Sequence, residues 1–216
     1  AEEVRAVREG VGVLEISGFA KYTVVGSGAS DWLDQILACR IPKSGRMTLA
    51  PMLNENGKLI GDFTLANINS KKYAPDEEFF IAGSGIAEEY HLRWFETHLP
   101  ESGNVKITPH GSGLSGLSIA GPKSRELLAK ITDEDVSPEN FRFMDIRKMD
   151  IGMASCLVGR VSYPGALGYE LWMTPGYQSY AMELLQKESE SYGEEFGLRL
   201  FGLRALKPRR SEKKEG

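Results

Sequence analysis

The 216-residue chain carries 26 Lys and Arg against 30 Asp and Glu, a net charge of -4 with a pI of about 5.6, so no global positive field favours nucleic acid or an anionic membrane. With 41% hydrophobic and 26% charged residues, it has ordinary globular composition and the length for one large domain or two small ones. No apolar run approaches the roughly 20 residues of a membrane span, and Cys39, Cys156, His91, His98 and His110 form no ligand cluster, so neither a metal site nor a disulfide framework is expected.

The first residues, Ala1 to Arg5, are acidic and helical in character and do not resemble a signal peptide. A cytoplasmic, reducing compartment is the matching expectation, or the mitochondrial matrix in a eukaryote. Val11 to Ile16 and Lys21 to Val25 read as short strands separated by Ser17-Gly18. Ser30 or Asp31 then caps a helix whose apolar positions Trp32, Leu33, Ile36 and Leu37 follow helical spacing.

Strands over about 47–53 and 58–66 flank Asn54-Glu55-Asn56-Gly57, residues that tolerate the left-handed backbone of a tight turn. The return strand holds one carboxylate, Asp62, between apolar neighbours. A lone acid there is either a costly burial or a working group. Glu78 to Ala82 makes another strand, and Gly83-Ser84-Gly85 turns it into a helix of about 86–98 that Pro100 ends.

The second half repeats the style. Val105 to Thr108 and Leu114 to Ile119 are expected strands, and Gly121-Pro122 opens a helix with proline in its first turn and Leu127, Leu128 and Ile131 as its buried stripe. Thr132 to Asn140 is acidic and loop-like. Strands at roughly 147–161 and 168–173 flank the turn Tyr163-Pro164-Gly165-Ala166, and a last helix begins near Pro175. Two rounds of strands with interspersed helices indicate an α+β chain with mixed sheets. The expected domains are 1–100, with the hairpin, and 101–216.

Several stretches look like motifs and fail on context. Gly111-Ser-Gly-Leu-Ser-Gly116 spells GxGxxG but precedes a strand instead of opening a helix after one. Gly121-Pro-Lys-Ser124 lacks the Gly-Lys pair of a phosphate loop, and Gly83-Ser84-Gly85 lacks the spacing of a nucleophile elbow. The basic stretch Arg204 to Lys214 is interleaved with Glu212 and reads as a solvated terminus.

Three segments together are specific. Arg46 to Thr64, Leu117-Ser-Ile-Ala-Gly-Pro-Lys-Ser-Arg-Glu-Leu-Leu128 and Ser162-Tyr-Pro-Gly-Ala-Leu-Gly-Tyr-Glu-Leu171 resemble the aminomethyltransferase family, which includes the glycine-cleavage T-protein. With His91-Leu-Arg-Trp-Phe-Glu96, the nearest likeness is to the folate-binding C-terminal regions of dimethylglycine and sarcosine dehydrogenases. The resemblance implies two domains of a three-domain cloverleaf around tetrahydrofolate, with the C-terminal barrel falling beyond this sequence.

What the resemblance implies for residues is as follows. Asp62 matches the acid near the folate nitrogen and the one-carbon unit, where a fixed carboxylate stabilises cationic species and relays a proton. Glu170 matches the pterin-binding glutamate, Tyr163 an aromatic lining the same pocket, Ser84 a strand-end position where T-proteins have asparagine, and Arg210 an arginine addressing the folate tail. The implied reaction is folate-dependent transfer of an aminomethyl or methylene group from a methylated amine or glycine-derived donor. FAD enters only through a separate chain or a missing domain, such as a flavoprotein dehydrogenase partner.

The pattern also departs from the family. The usual Tyr-Thr-Gly-Glu turn is Tyr163-Pro164-Gly165-Ala166, Leu49 stands where T-proteins carry a pocket tyrosine, and Pro208 interrupts the segment bearing Arg210. These departures fit an alternative, a non-catalytic folate-binding or partner-docking module, or an inactive fragment of a larger flavoenzyme.

Overall fold

The computed structural model describes residues 2–69, 76–161, 167–191 and 198–202. It divides into a continuous unit, Gly18–Gly113, and a discontinuous one, Ala1–Ser17 with Leu114–Gly216. Helix α1 (Glu2–Glu9) and strand β1 (Gly12–Glu15) open the discontinuous unit. The boundary expected near residue 100 therefore falls at 113/114, and the first seventeen residues join the later ones. The physical reason is strand pairing: Val13 registers against Ile119 on one side and Leu200 on the other.

The continuous unit contains β2 (Ala20–Gly26), α2 (Ala29–Ile36), β3 (Met47–Leu53), β4 (Leu59–Asn67), β5 (Glu77–Gly83), α3 (Glu88–Thr97) and β6 (Lys106–Pro109). Its five-stranded sheet has the order β3-β4-β5-β2-β6, antiparallel throughout. Strand alternation sends Tyr22, Phe63, Leu65, Phe79 and Ile81 to one face, where they pack with Trp32 and Leu33 of α2 and Phe95 of α3. Aromatic edges order this core, with the Tyr22 and Phe95 rings 5.4 Å apart at 67°.

The start of α2 differs from expectation. Gly28 is the N-cap and no side chain caps the helix. The Ser30 amide and hydroxyl instead donate to the Glu77 carboxylate at 2.8 and 2.7 Å, pinning the first turn to β5. The hairpin turn is built as its residues predict: Asn54 Oδ1 accepts from the amides of Asn56 and Lys58 at 3.0 and 2.9 Å, and Gly57 adopts φ 70.

The discontinuous unit continues with β7 (Ser115–Ala120), α4 (Ser124–Ile131), β8 (Ile146–Ile151), β9 (Ala154–Gly159), β10 (Gly168–Met173), α5 (Gln178–Ser191) and β11 (Arg199–Leu200). Its six-stranded sheet runs β11-β1-β7-β10-β9-β8. Only the β11–β1 pair is parallel, so the sheet is mixed and the chain is α+β. Leu127, Leu128 and Ile131 of α4 and Ala181 and Leu185 of α5 pack on Ile119, Tyr169 and Leu171.

Helix α4 begins at Ser124, two residues past Pro122, because Gly121 turns at φ 138 and its amide donates to the Leu167 carbonyl at 2.8 Å. The span read as strand over 147–161 is a hairpin, β8 and β9, turning at Gly152 with φ 56. Among the described residues no helix is long and apolar enough to cross a membrane.

Candidate functional site

Asp62 lies on β4 between Phe63, which enters the helix-packed core, and Gly61. Alternation turns Asp62 and Thr64 to the opposite sheet face, together with their cross-strand neighbours Pro51 and Leu49 on β3 and Ala82 on β5. The carboxylate is exposed. The dilemma posed by its apolar neighbours is thus resolved by the pleat: those neighbours are buried and Asp62 is not.

The backbone around Asp62 is held from the helix side. His91 of α3 is buried, donates from Nε2 to the Ile60 carbonyl at 3.1 Å, and sets its ring edge-on to Phe63 with centroids 4.8 Å apart. A side chain at Gly61 would place its Cβ 2.6 Å from the Phe63 ring and 2.9 Å from His91 Nε2. Glycine is therefore what lets the histidine reach the strand. Its Nδ1 is buried without a hydrogen-bond partner, and burial lowers the imidazole pKa below its ordinary value against the opposing bond to Ile60.

Ser84 follows the last residue of β5 and is exposed, starting a short 3-10 turn without side-chain capping. The β4–β5 register ends with Thr64 opposite Ala82, two residues short of both Asp62 and Ser84. A Cβ built on Gly83 would lie 3.6 Å from the Asp62 carbonyl. Ser84 therefore follows directly on a residue whose backbone approaches Asp62. The continuous unit carries both.

Glu170 lies in the discontinuous unit, midway along β10. Tyr169 and Leu171 enter the core with α4 and α5, so Glu170 points from the other face. It is half-buried, and no hydrogen bond or ion pair from a described residue reaches its carboxyl. Burial alone pushes that carboxyl up to about 7, because ionisation there lacks compensation.

The strands beside Glu170 are sparsely furnished. Directly opposite stand Ser118 on β7 and Gly159 on β9. Ser118 is fully buried and its Oγ has no hydrogen-bond partner. One strand position further on, the Trp172 ring occupies the space over Gly116, where a Cβ would come within 2.5 Å of it. An uncompensated carboxyl, an orphan hydroxyl and a glycine thus meet on one sheet face, an arrangement that suits the polar edge of a flat ligand.

Ser118 was not singled out from the sequence, since Leu-Ser-Ile reads as ordinary alternation. The structure shows that every residue of β7 is buried, so the hydroxyl is not a solvated one. Tyr163 and Arg210, the two other predicted positions, lie outside the described residues. An open groove of about 470 Å³ lined by Lys130, Asp133, Glu134 and Asp150 contains none of the predicted residues. Among the described residues no cluster suits a metal ion.

Comparison with known proteins bears on this geometry. The model of the GCVT N-terminal domain matches residues 1–215. The chain is 32% identical over 212 residues to dimethylglycine dehydrogenase, mitochondrial, of Rattus norvegicus, covering 98% of this chain and 24% of that protein. It is likewise 32% identical over 205 residues to an aminomethyltransferase of Thermoanaerobacter sp. (strain X514), covering 94% of this chain and 52% of that protein. Among solved structures, aminomethyltransferase T of the glycine cleavage system from Bartonella henselae superposes with a TM-score of 0.80 at 19% identity over 98% of this chain and 53% of its own. The chain spans from about a quarter to about half the length of these relatives.

Proposed function

The chain belongs to the GCVT N-terminal domain family, and on that premise we propose that it binds tetrahydrofolate and serves transfer of a one-carbon unit from a methylated amine or glycine-derived donor. The observation that carries this reading is Glu170: a half-buried carboxyl without a partner among the described residues, next to a buried hydroxyl that is likewise unpartnered among them. Bound tetrahydrofolate supplies nitrogen nucleophiles that take up a one-carbon unit. The protein's part is to bind, orient and balance charge.

Glu170 accepts paired hydrogen bonds from the aminopyrimidine edge of the pterin, a role its anion fills better than a neutral amide would. Asp62, fixed on a strand whose backbone His91 grips, stabilises positive charge on the donor amine and moves a proton at its carboxylate. Ser84, at the end of β5, together with Tyr163 and Arg210, provides subsidiary contacts to the pterin and its tail. Dimethylglycine dehydrogenase is the relative that suggests an N-methylated donor and an amine-oxidising flavoprotein acting in the same or a separate chain.

The test pairs titration with turnover. Tetrahydrofolate affinity is measured for wild type and Asp62→Asn, then methylene transfer is followed with a flavoprotein that oxidises dimethylglycine. Retained binding with lost transfer is expected of Asp62→Asn. Equal turnover by that variant overturns the catalytic assignment. A second reading, a folate-binding module without turnover, is favoured by the exposure of Asp62, and binding by wild type with no transfer at all would establish it.

A further inference from the structure

We infer that Ser118 is a ligand-contacting residue, its Oγ bonding the same polar edge that Glu170 holds from the adjacent strand. The inference rests on the folate reading above. Ser118 and Glu170 are direct cross-strand partners in an antiparallel ladder, so their side chains leave one face with Cβ atoms roughly 4.5–5.5 Å apart. That separation lets two adjacent atoms of one heterocycle address both groups.

The hydroxyl is the informative member. It is fully buried and has no hydrogen-bond partner among the described residues, a state that folded proteins rarely tolerate. Replacing serine by alanine at a purely structural position like this one removes an unmet polar group and is neutral or stabilising. The hydroxyl is accounted for when a group beyond the described residues, here a bound ligand, satisfies it.

The two groups differ in what they recognise. A carboxylate only accepts, whereas a hydroxyl donates once and accepts as well. Together they suit an edge that offers donors to Glu170 and, next to them, an acceptor for the Ser118 hydroxyl proton. The amino-oxo-pyrimidine edge of a pterin has that pattern. On the far side of Glu170 stands Gly159, which presents no side chain to compete for that edge.

The experiment uses 5-formyltetrahydrofolate, a reduced folate stable to air, titrated into wild type, Ser118→Ala and Glu170→Gln, with the melting temperature of each protein measured without ligand. Ser118→Ala is expected to weaken binding about 3- to 10-fold, the loss of one hydrogen bond, while its ligand-free melting temperature stays level or rises. If Ser118→Ala binds within twofold of wild type while Glu170→Gln is weakened tenfold or more, the inference fails and the folate reading stands. If the ligand-free melting temperature of Ser118→Ala falls instead, the hydroxyl is structural and the inference fails. If wild type does not bind the probe, or Glu170→Gln binds as tightly as wild type, the folate reading itself is overturned.

Discussion

Asp62 and Glu170 are a matched pair in sequence and opposites in structure. Each stands in a strand next to buried residues, and each turns away from the face its helices cover. Asp62 is exposed, whereas Glu170 is half-buried with its carboxyl pushed up to about 7. Alternation decides which way a side chain points, and it is silent about how much protein surrounds the place it points to. An exposed carboxylate suits electrostatic work; a desolvated one waits for donors and suits recognition.

The sharpest way to break this contrast is to exchange charge for amide at each position. Asp62→Asn is expected to lower one-carbon transfer by about 100-fold or more with folate affinity changed less than threefold, read from turnover and from equilibrium titration. Glu170→Gln is expected to do the reverse, weakening folate by about 10- to 100-fold through the loss of charge-assisted hydrogen bonds. Comparable effects of both variants on affinity would dissolve the division of labour.

A smaller effect tests the burial of Glu170 directly. Its folded-state pKa is raised, so it contributes stability that is fully present below the unfolded value, near 4.5, and lost as pH rises through about 7. The difference in melting temperature between Glu170→Gln and wild type should therefore grow in favour of the variant from pH 5 to pH 8. A pH-independent difference would mean that the carboxyl is solvated. Folate that donates to the anion should also release a proton near neutrality, visible as a buffer-dependent binding enthalpy.

The smallest expected effect concerns the grip on the Asp62 strand. His91→Leu leaves the Ile60 carbonyl without its donor, and about 1–2 kcal/mol of stability should be lost in urea unfolding. Because burial lowers the His91 pKa, its neutral form is the one that folds. Its contribution is held above the unfolded value near 6.5 and declines as pH falls toward the depressed folded one. The wild type should therefore lose its advantage over His91→Leu on acidification.

The fold was legible where short-range chemistry is decisive. The Asn54 to Gly57 turn formed as its residue types require, and strand alternation in β4 and β10 was correctly placed. What escaped was long-range. Ser30 or Asp31 was expected to cap α2, yet neither does, and the Ser30 hydroxyl binds Glu77, 47 residues away; nothing local signals that competition. The two-residue strand β11 is too short to carry a pattern and exists because it pairs with β1. Of the candidate site, family likeness supplied Asp62 and Glu170, while Ser118 became visible only when every residue of β7 proved to be buried.

The pairing of β1 sets a timetable for folding. In the order in which the chain is synthesised, β1 precedes the whole of Gly18–Gly113, whereas its neighbours β7 and β11 follow it. The later-starting unit has every strand partner within its own span and has no such wait. Until Ser115–Ala120 arrives, a nascent Gly12–Glu15 presents unpaired amides and carbonyls on both edges. Closing that long loop is entropically costly and slow, which makes Gly12–Glu15 a segment open to mispairing while it waits.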